Sequence, residues 1–392
     1  MKSGVDRKGM TALSTGHLVT DLAQGSLAAL LPFLVERFDL SYAMAAALVL
    51  AATISSSIVQ PLFGLVSDAR GGYWLLPVGA AVAGIGMALA AVAPSYPLVL
   101  VAVLVAGLGV AAYHPEASKF ASYVSGDRRA SGMAFFSVGG NLGFALGPFL
   151  ASTVVLALGL NGGLLLALPG LAVAVLLVAV RAHLGRFVPV RVQRDASTGA
   201  GDNPRGLSLL LAVIALRSVA HMGLFTFVPL WEVELGNGAA HGTRLLSLFL
   251  LAGAVGTIFG GQLADRFGRR LVLRWSFVLA APLIVVYVVV GGLAGEAALI
   301  LSGAAVIGTF GVSLVMSQEY MPSRVGMASG LSIGFAIGLG GVAAVVLGGI
   351  ADAIDLETAL LATVAGPALG FLLALALPPS SVRRLEPVAA SL

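Results

Sequence analysis

The sequence predicts an all-α membrane protein of twelve transmembrane helices, built as two pseudo-symmetric six-helix bundles with both termini cytoplasmic. Three observations carry that prediction. The 392 residues are 58% hydrophobic and only 10% charged, where soluble domains carry about 25% charged residues. Apolar runs of close to 20 residues recur along the chain, the length that crosses about 30 Å of hydrocarbon at about 1.5 Å per residue. The third observation is an internal repeat: Gly64-Leu65-Val66-Ser67-Asp68 returns as Gly261-Gln262-Leu263-Ala264-Asp265, Pro32 as Pro229, and Ala130-Ser131-Gly132 as Ala328-Ser329-Gly330. Two copies in the same orientation imply parallel repeats about an axis along the membrane normal, with a ligand site where they meet near the midplane.

Taken in order, the spans fall at 11–35, 42–66, 73–93, 97–124, 130–157 and 161–182, then 207–231, 243–264, 270–292, 296–320, 326–350 and 357–378. The first follows Lys2, Arg7 and Lys8 but runs too long for a signal-peptide core and holds His17 and Asp21, so it reads as an uncleaved span. Ala93-Pro94-Ser95, Asn161-Gly162-Gly163 and Gly236-Asn237-Gly238 mark breaks between neighbouring helices. Residues 183–206 are polar and form the linker between a bundle at 1–182 and a bundle at 207–392.

Orientation follows from the basic residues. With the N-terminus inside, every Lys and Arg except Arg37, Arg217 and Arg244 falls on the cytoplasmic side, in a loop or at the inner part of a span, whereas the outer loops carry Glu36, Asp39, Glu232, Glu234, Glu296, Asp352, Asp355 and Glu357. The net charge of +4 is thereby an orientation signal and does not indicate nucleic acid. There is no cysteine, so disulfides, thiolate metal sites and thiol nucleophiles are excluded.

The loop Gly261 to Arg270, with Asp265, Arg266, Arg269 and Arg270, resembles the signature of the major facilitator superfamily between its second and third and its eighth and ninth helices. The first copy keeps Gly64, Asp68, Arg70 and Gly71 without the paired arginines. Glycine permits a tight turn, and Asp265 can cap a helix start and pair with arginine. The resemblance implies a gate latch at these residues. Gly139, Gly140, Gly143, Gly147 and Pro148 give the fifth helix a small-residue face suited to close packing. That face resembles the fifth-helix motif of superfamily antiporters, although packing alone also accounts for it. The runs His17-Leu18-Val19-Thr20-Asp21, Tyr113 to Ala121 and Ser137 to Asn141 resemble the fosmidomycin-resistance branch. The arginine usual in the fourth helix of the superfamily, which would fall near Val103, is absent.

Charged groups inside spans cost a few kcal/mol on insertion scales and are functional candidates. His17 and Asp21 share a face of the first helix; Arg217 and His221 share a face of the seventh. The resemblance implies that both helices line a central cavity, which would allow Asp21 to face Arg217. Glu116 and Lys119 share a face of the fourth helix, with His114 directed elsewhere. Proton carrying and static pairing are equally weighted for Glu116. The candidates are therefore Glu116, Asp21 and His114 for proton coupling, and His17, Arg217, His221, Lys119 and Asn141 for ligand binding. Glu319, at the cytoplasmic end of the tenth helix beside Arg324, reads as a gate or boundary charge. The aromatic residues Tyr113, Phe135, Phe136, Phe225, Phe227 and Trp231 read as packing or interfacial anchors.

This donor-rich set suits an anion such as a phosphonate or phosphate ester, the chemistry that the resemblance also implies. The expectation is a proton-coupled exporter working by alternating access, monomeric, in the lipid bilayer of a bacterial-type inner membrane. It would need no cofactor beyond the proton gradient and would bind a small molecule and protons, with no nucleic acid. The rival on the same fold is a symporter or facilitator importing an organic anion. A membrane-embedded enzyme is remote, because no metal-ligating His-Glu-x-x-His helix and no nucleophile elbow are present.

Overall fold

The computed structural model describes residues 4–64, 72–126, 128–187 and 201–379, all of it helix and connecting turn with no strand among these residues. The helices are α1 (Arg7–Phe38), α2 (Tyr42–Ser57), α3 (Leu75–Val92), α4 (Tyr96–Val124), α5 (Arg129–Leu158), α6 (Ala167–Leu184) and α7 (Pro204–Glu234). They continue as α8 (Ala239–Phe267), α9 (Arg269–Val285), α10 (Gly292–Gly308), α11 (Phe310–Tyr320), α12 (Val325–Ala353), α13 (Leu356–Ala362) and α14 (Ala365–Leu375). Among the described residues 11 helical stretches are long and apolar enough to cross a membrane, and Ile337–Ala353 within α12 is a shorter apolar one. The twelve-span reading accommodates them when α10 with α11, and α13 with α14, are each one broken crossing.

Local chemistry sets the helix ends. The side chains of Asp6, Ser41, Asn203 and Asp355 accept hydrogen bonds from amides in the first turns of α1, α2, α7 and α13, which satisfies donors the helix leaves free. The Asp6 cap explains why α1 starts at Arg7 rather than at 11. The same carboxylate meets His183 Nε2 at 2.7 Å, tying α1 to the end of α6. Between α8 and α9 the chain turns at Gly268 with φ of 93°, a conformation that strains any residue with a Cβ.

The break between α10 and α11 was not expected. Thr309 leaves the helical region (φ −96°, ψ 10°), and its buried hydroxyl accepts a hydrogen bond from Arg217. Backbone freed from a helix at membrane depth is tolerated where protein surrounds it.

Glycines bring α1 and α5 into backbone contact. A Cβ built at Gly25, Gly139, Gly143 or Gly147 would lie inside 3.0 Å of Phe144, Ser14, Leu18 or Leu22 backbone, respectively. Such proximity replaces side-chain packing with close backbone van der Waals contact. Pro148 is buried within α5, which continues past it.

The two halves join at the end of the molecule opposite the start of α1. The amides of Tyr42 and Ala43, the first two of α2, donate to the Asp352 carboxylate at 2.6 and 3.0 Å, and the Tyr42 hydroxyl donates to Glu234 Oε2 at 2.7 Å. Gly348 of α12 sits against Ala43, where a Cβ would come within 2.8 Å of the Ala43 Cα. Among the described residues, these are the only hydrogen bonds between the halves, and no ion pair joins them.

Candidate functional site

The site begins with α1. His17 and Asp21 stand four residues apart on one face, where Cβ atoms one helical turn apart are neighbours. His17 Nε2 lies 3.2 Å from Asp21 Oδ2. From α4, His114 Nε2 reaches Asp21 Oδ1 at 2.9 Å. From α5, the carbonyl oxygen of Phe136 lies 2.9 Å from His17 Nδ1, and the Phe136 ring stacks on the imidazole with centroids 4.2 Å apart. Gly140, one turn along α5, is pressed onto the pair; a Cβ there would lie 2.7 Å from Asp21 Oδ2 and closer still to the His17 ring.

These contacts assign protons. A carbonyl oxygen only accepts, so His17 Nδ1 carries a hydrogen and donates it to Phe136. His114 Nε2 donates to Asp21 Oδ1. The third contact, His17 Nε2 to Asp21 Oδ2, sets a ring lone pair against a carboxylate oxygen unless a proton lies between them. Fully satisfied, the cluster therefore holds one proton beyond neutral imidazoles and an ionised carboxylate. It is electrically neutral with that proton and negative without it. The three side chains remain 13% to 20% exposed, so they are not sealed from solvent.

Along α4, Glu116 and Lys119 form an ion pair at 2.7 Å, with Glu116 only 1% exposed. Tyr113 is buried, and its hydroxyl donates to the Leu13 carbonyl at 2.7 Å, holding α4 against α1 beside the cluster. His114 and Glu116 lie on different faces of an α4 that passes through Pro115 unbroken.

The C-terminal half presents the opposite situation. Arg217 on α7 is 3% exposed. Its Nη1 donates to Thr309 Oγ1 at 3.3 Å and Ser313 Oγ at 3.2 Å, and its guanidinium lies 4.9 Å from the Phe310 ring centroid. Among the described residues no carboxylate forms an ion pair with it. One turn along, His221 Nε2 is buried without a hydrogen-bond partner. Its ring lies beside Phe144 of α5, and Phe144 stacks on Phe225 with centroids 5.1 Å apart. Thus Asp21 does not pair with Arg217, contrary to the expectation. Asp21 is held by two imidazoles of its own half, and the guanidinium turns toward the hydroxyls and ring of α10–α11. Thr309, Ser313 and Phe310 escaped the sequence reading, with hydroxyls four residues apart the available signal; Phe136, read as a packing or interfacial anchor, also bonds His17 through its carbonyl.

The remaining candidates are dispersed. Asn141 is half-buried on α5 and makes no side-chain hydrogen bond among the described residues. Asp68 and Arg70 lie outside the described residues. Asp265 does not cap a helix start: it is exposed in the last turn of α8 and forms no ion pair among the described residues, because Gly268 makes the turn. Arg266 lies over the Phe267 ring. Arg269 pairs with Glu319 of α11, and Arg270 Nη1 donates to the Leu377 carbonyl at 3.2 Å. Glu319 is thus the partner of Arg269.

Comparisons with known proteins agree with this architecture. The Major Facilitator Superfamily profile matches residues 13–345. The Fosmidomycin resistance protein of Escherichia coli (strain K12) is 31% identical over 371 residues, 92% of this chain and 90% of that protein. The Uncharacterized MFS-type transporter YfnC of Bacillus subtilis (strain 168) is 30% identical over 369 residues, 91% and 89% of the two chains. Among solved structures, a bacterial homolog of the human lysosomal transporter Spinster superposes with a TM-score of 0.78 at 15% identity, covering 95% of this chain and 96% of that one. The chain belongs to the Major Facilitator Superfamily, on its fosmidomycin-resistance branch, and is a multi-pass inner-membrane transporter.

Proposed function

We propose that this transporter exports a small anionic compound, phosphonate-like or phosphate-like, in exchange for protons by alternating access. One observation carries the reading: the division of polar groups between the halves. The N-terminal half holds a carboxylate–imidazole cluster with a place for one extra proton, and the C-terminal half holds a buried cation that no carboxylate among the described residues neutralises. Asp21, with His114 and His17, is the coupling group. Glu116, with Lys119 beside it, is a second carrier on α4. Arg217 and His221 receive the anion, with Lys119 and Asn141 supplying further donors. Fosmidomycin, named for the relative from Escherichia coli, is the first substrate to try.

Protonation must change the relative stability of the two access states, or the gradient does no work on the substrate. The Lys and Arg asymmetry places the end where α1 begins on the cytoplasmic side. The Asp352 contacts then close the outer side, so substrate reaches Arg217 from the cytoplasm. At the inner end, Arg269 with Glu319, Arg270, and the loop carrying Asp68 and Arg70 are the gating elements.

Accumulation of labelled fosmidomycin in cells expressing the protein, with and without a protonophore, tests the direction. An exporter's cells fill when the gradient collapses, whereas cells that empty would show an importer. In proteoliposomes with an imposed pH gradient, Glu116→Gln is expected to bind substrate yet lose concentrative transport. Unchanged pH-driven transport would remove Glu116 from the proton path.

A further inference from the structure

We infer that His17, Asp21 and His114 form a binding site for a divalent first-row transition cation, with Zn²⁺ as the best-fitting occupant. Each side chain offers one donor atom, and the three donors lie within 4.8 Å of one another. Asp21 is 2.9 Å from one imidazole nitrogen and 3.2 Å from the other. Ligand atoms about 2.0 to 2.2 Å from a tetrahedral zinc stand a little over 3 Å apart. A cation entering between them therefore needs only small adjustments.

The protonation pattern favours a metal as well. Because His17 Nδ1 donates to the Phe136 carbonyl, its lone pair is on Nε2, the atom that faces Asp21. A backbone carbonyl holding the far nitrogen of a ligating imidazole is the usual outer arrangement of metal-bound histidine, and it fixes both tautomer and ring orientation. The stacked Phe136 ring and the close backbone of Gly140 restrict the imidazole further. Each donor comes from a helix rather than a loop, so the site is preformed.

Donor chemistry selects the ion. Two imidazole nitrogens and one carboxylate suit zinc and its neighbours, whereas calcium and magnesium demand more oxygen ligands. Three protein ligands leave a fourth position, and the partial exposure of all three side chains lets water or an anion fill it. The cation would take the place of the cluster's shared proton, with the His114 hydrogen moved from Nε2 to Nδ1, so bound Zn²⁺ blocks proton exchange there. That last consequence rests on the proposed proton coupling; binding itself does not.

The test uses the untagged full-length protein in detergent at neutral pH. Titration with Co²⁺ is expected to give one equivalent with the visible ligand-field bands of a low-coordinate site, and Zn²⁺ should erase them. His17→Gln, Asp21→Asn and His114→Gln should each weaken Co²⁺ binding 10-fold or more, while His183→Gln, and His241→Gln on α8 where that imidazole lies 3.3 Å from Glu296, leave it unchanged. Absence of the bands in the unmodified protein, or bands unaltered in triad variants that elute and unfold like it, would overturn the inference. Should those variants fail to fold, Cu²⁺ bound to the unmodified chain reports its imidazole nitrogens by hyperfine splitting; two are expected, and none or one refutes the site. Transport is scored separately. Metal binding without proton-driven transport removes the exchange reading and spares the site, and transport without metal binding does the reverse.

Discussion

The ion-bearing pairs of α1 and α7, one in each half, are treated in opposite ways, although the C-terminal half also holds Glu232, buried and bonded to Tyr287 and Asn237. In the N-terminal half each buried ionisable group has a partner: Asp21 two imidazoles, His17 a carbonyl, Glu116 an ammonium. Among the described residues of the C-terminal half, Arg217 has only hydroxyls and an aromatic face, and a buried nitrogen of His221 has no hydrogen-bond partner. A cluster that holds its own partners can take up or release the one proton that its third contact needs. An unneutralised cation at membrane depth is a standing cost, and a ligand that supplies the missing negative charge relieves it. The contrast separates groups built to store charge from groups built to receive it.

The largest expected effect comes from removing the cation. A hydrogen bond to a charged group is worth about 1.5 to 3 kcal/mol. Arg217→Met should therefore weaken binding of an anionic substrate by roughly 10- to 100-fold. Because the arginine has no carboxylate partner among the described residues, the same substitution should leave the thermal midpoint of the purified protein unchanged or raised. Tryptophan-fluorescence binding and a thermal-shift measurement read the two effects. A lowered midpoint with unchanged binding would make Arg217 a structural residue and erase the distinction between the halves.

Gly140 offers the next test, on the other half. A Cβ there overlaps the His17 ring and the Asp21 carboxylate; overpacking of this kind costs about 1 to 3 kcal/mol. Gly140→Ala should lower the midpoint by several degrees and abolish pH-driven uptake into everted vesicles, while substrate binding at Arg217 persists. Loss of binding together with coupling would show that the two sites do not act separately.

The residues of this contrast were unevenly legible in the sequence. Helical periodicity sets both ion-bearing pairs, His17 with Asp21 and Arg217 with His221, because four residues make one turn wherever the helix packs. Which pair meets which neighbour depends on how the helices are rotated about their axes, and single-helix periodicity carries no such information. His114 joins Asp21 only because α4 turns that face toward α1, with Tyr113 bonded to Leu13 beside it. The Thr309 break was hidden for a related reason: the residue interrupts an apolar run without proline, and its hydroxyl is explained by Arg217 and Ser276, both distant in sequence. The crossings themselves were plain, since their length and apolarity do not depend on their neighbours.

The smallest effect concerns where the C-terminal half uses its acids. Asp352 and Glu234 reach across to Tyr42 and Ala43 rather than inward to Arg217. Asp352 acts as a helix cap supplied by the other half: it takes two of the amides that begin α2 and holds the halves together at one end. Replacing a capping carboxylate costs about 0.5 to 2 kcal/mol, and the exposure of this one places it at the low end. Asp352→Ala should shift the population of the two access states about two- to five-fold toward the form separated at this end. Spin labels on α2 and α12 read that separation, and substrate affinity at Arg217 should change by no more than the same factor. A larger loss of affinity would mean that Asp352 reaches the anion site and that the acids of this half serve its cation after all.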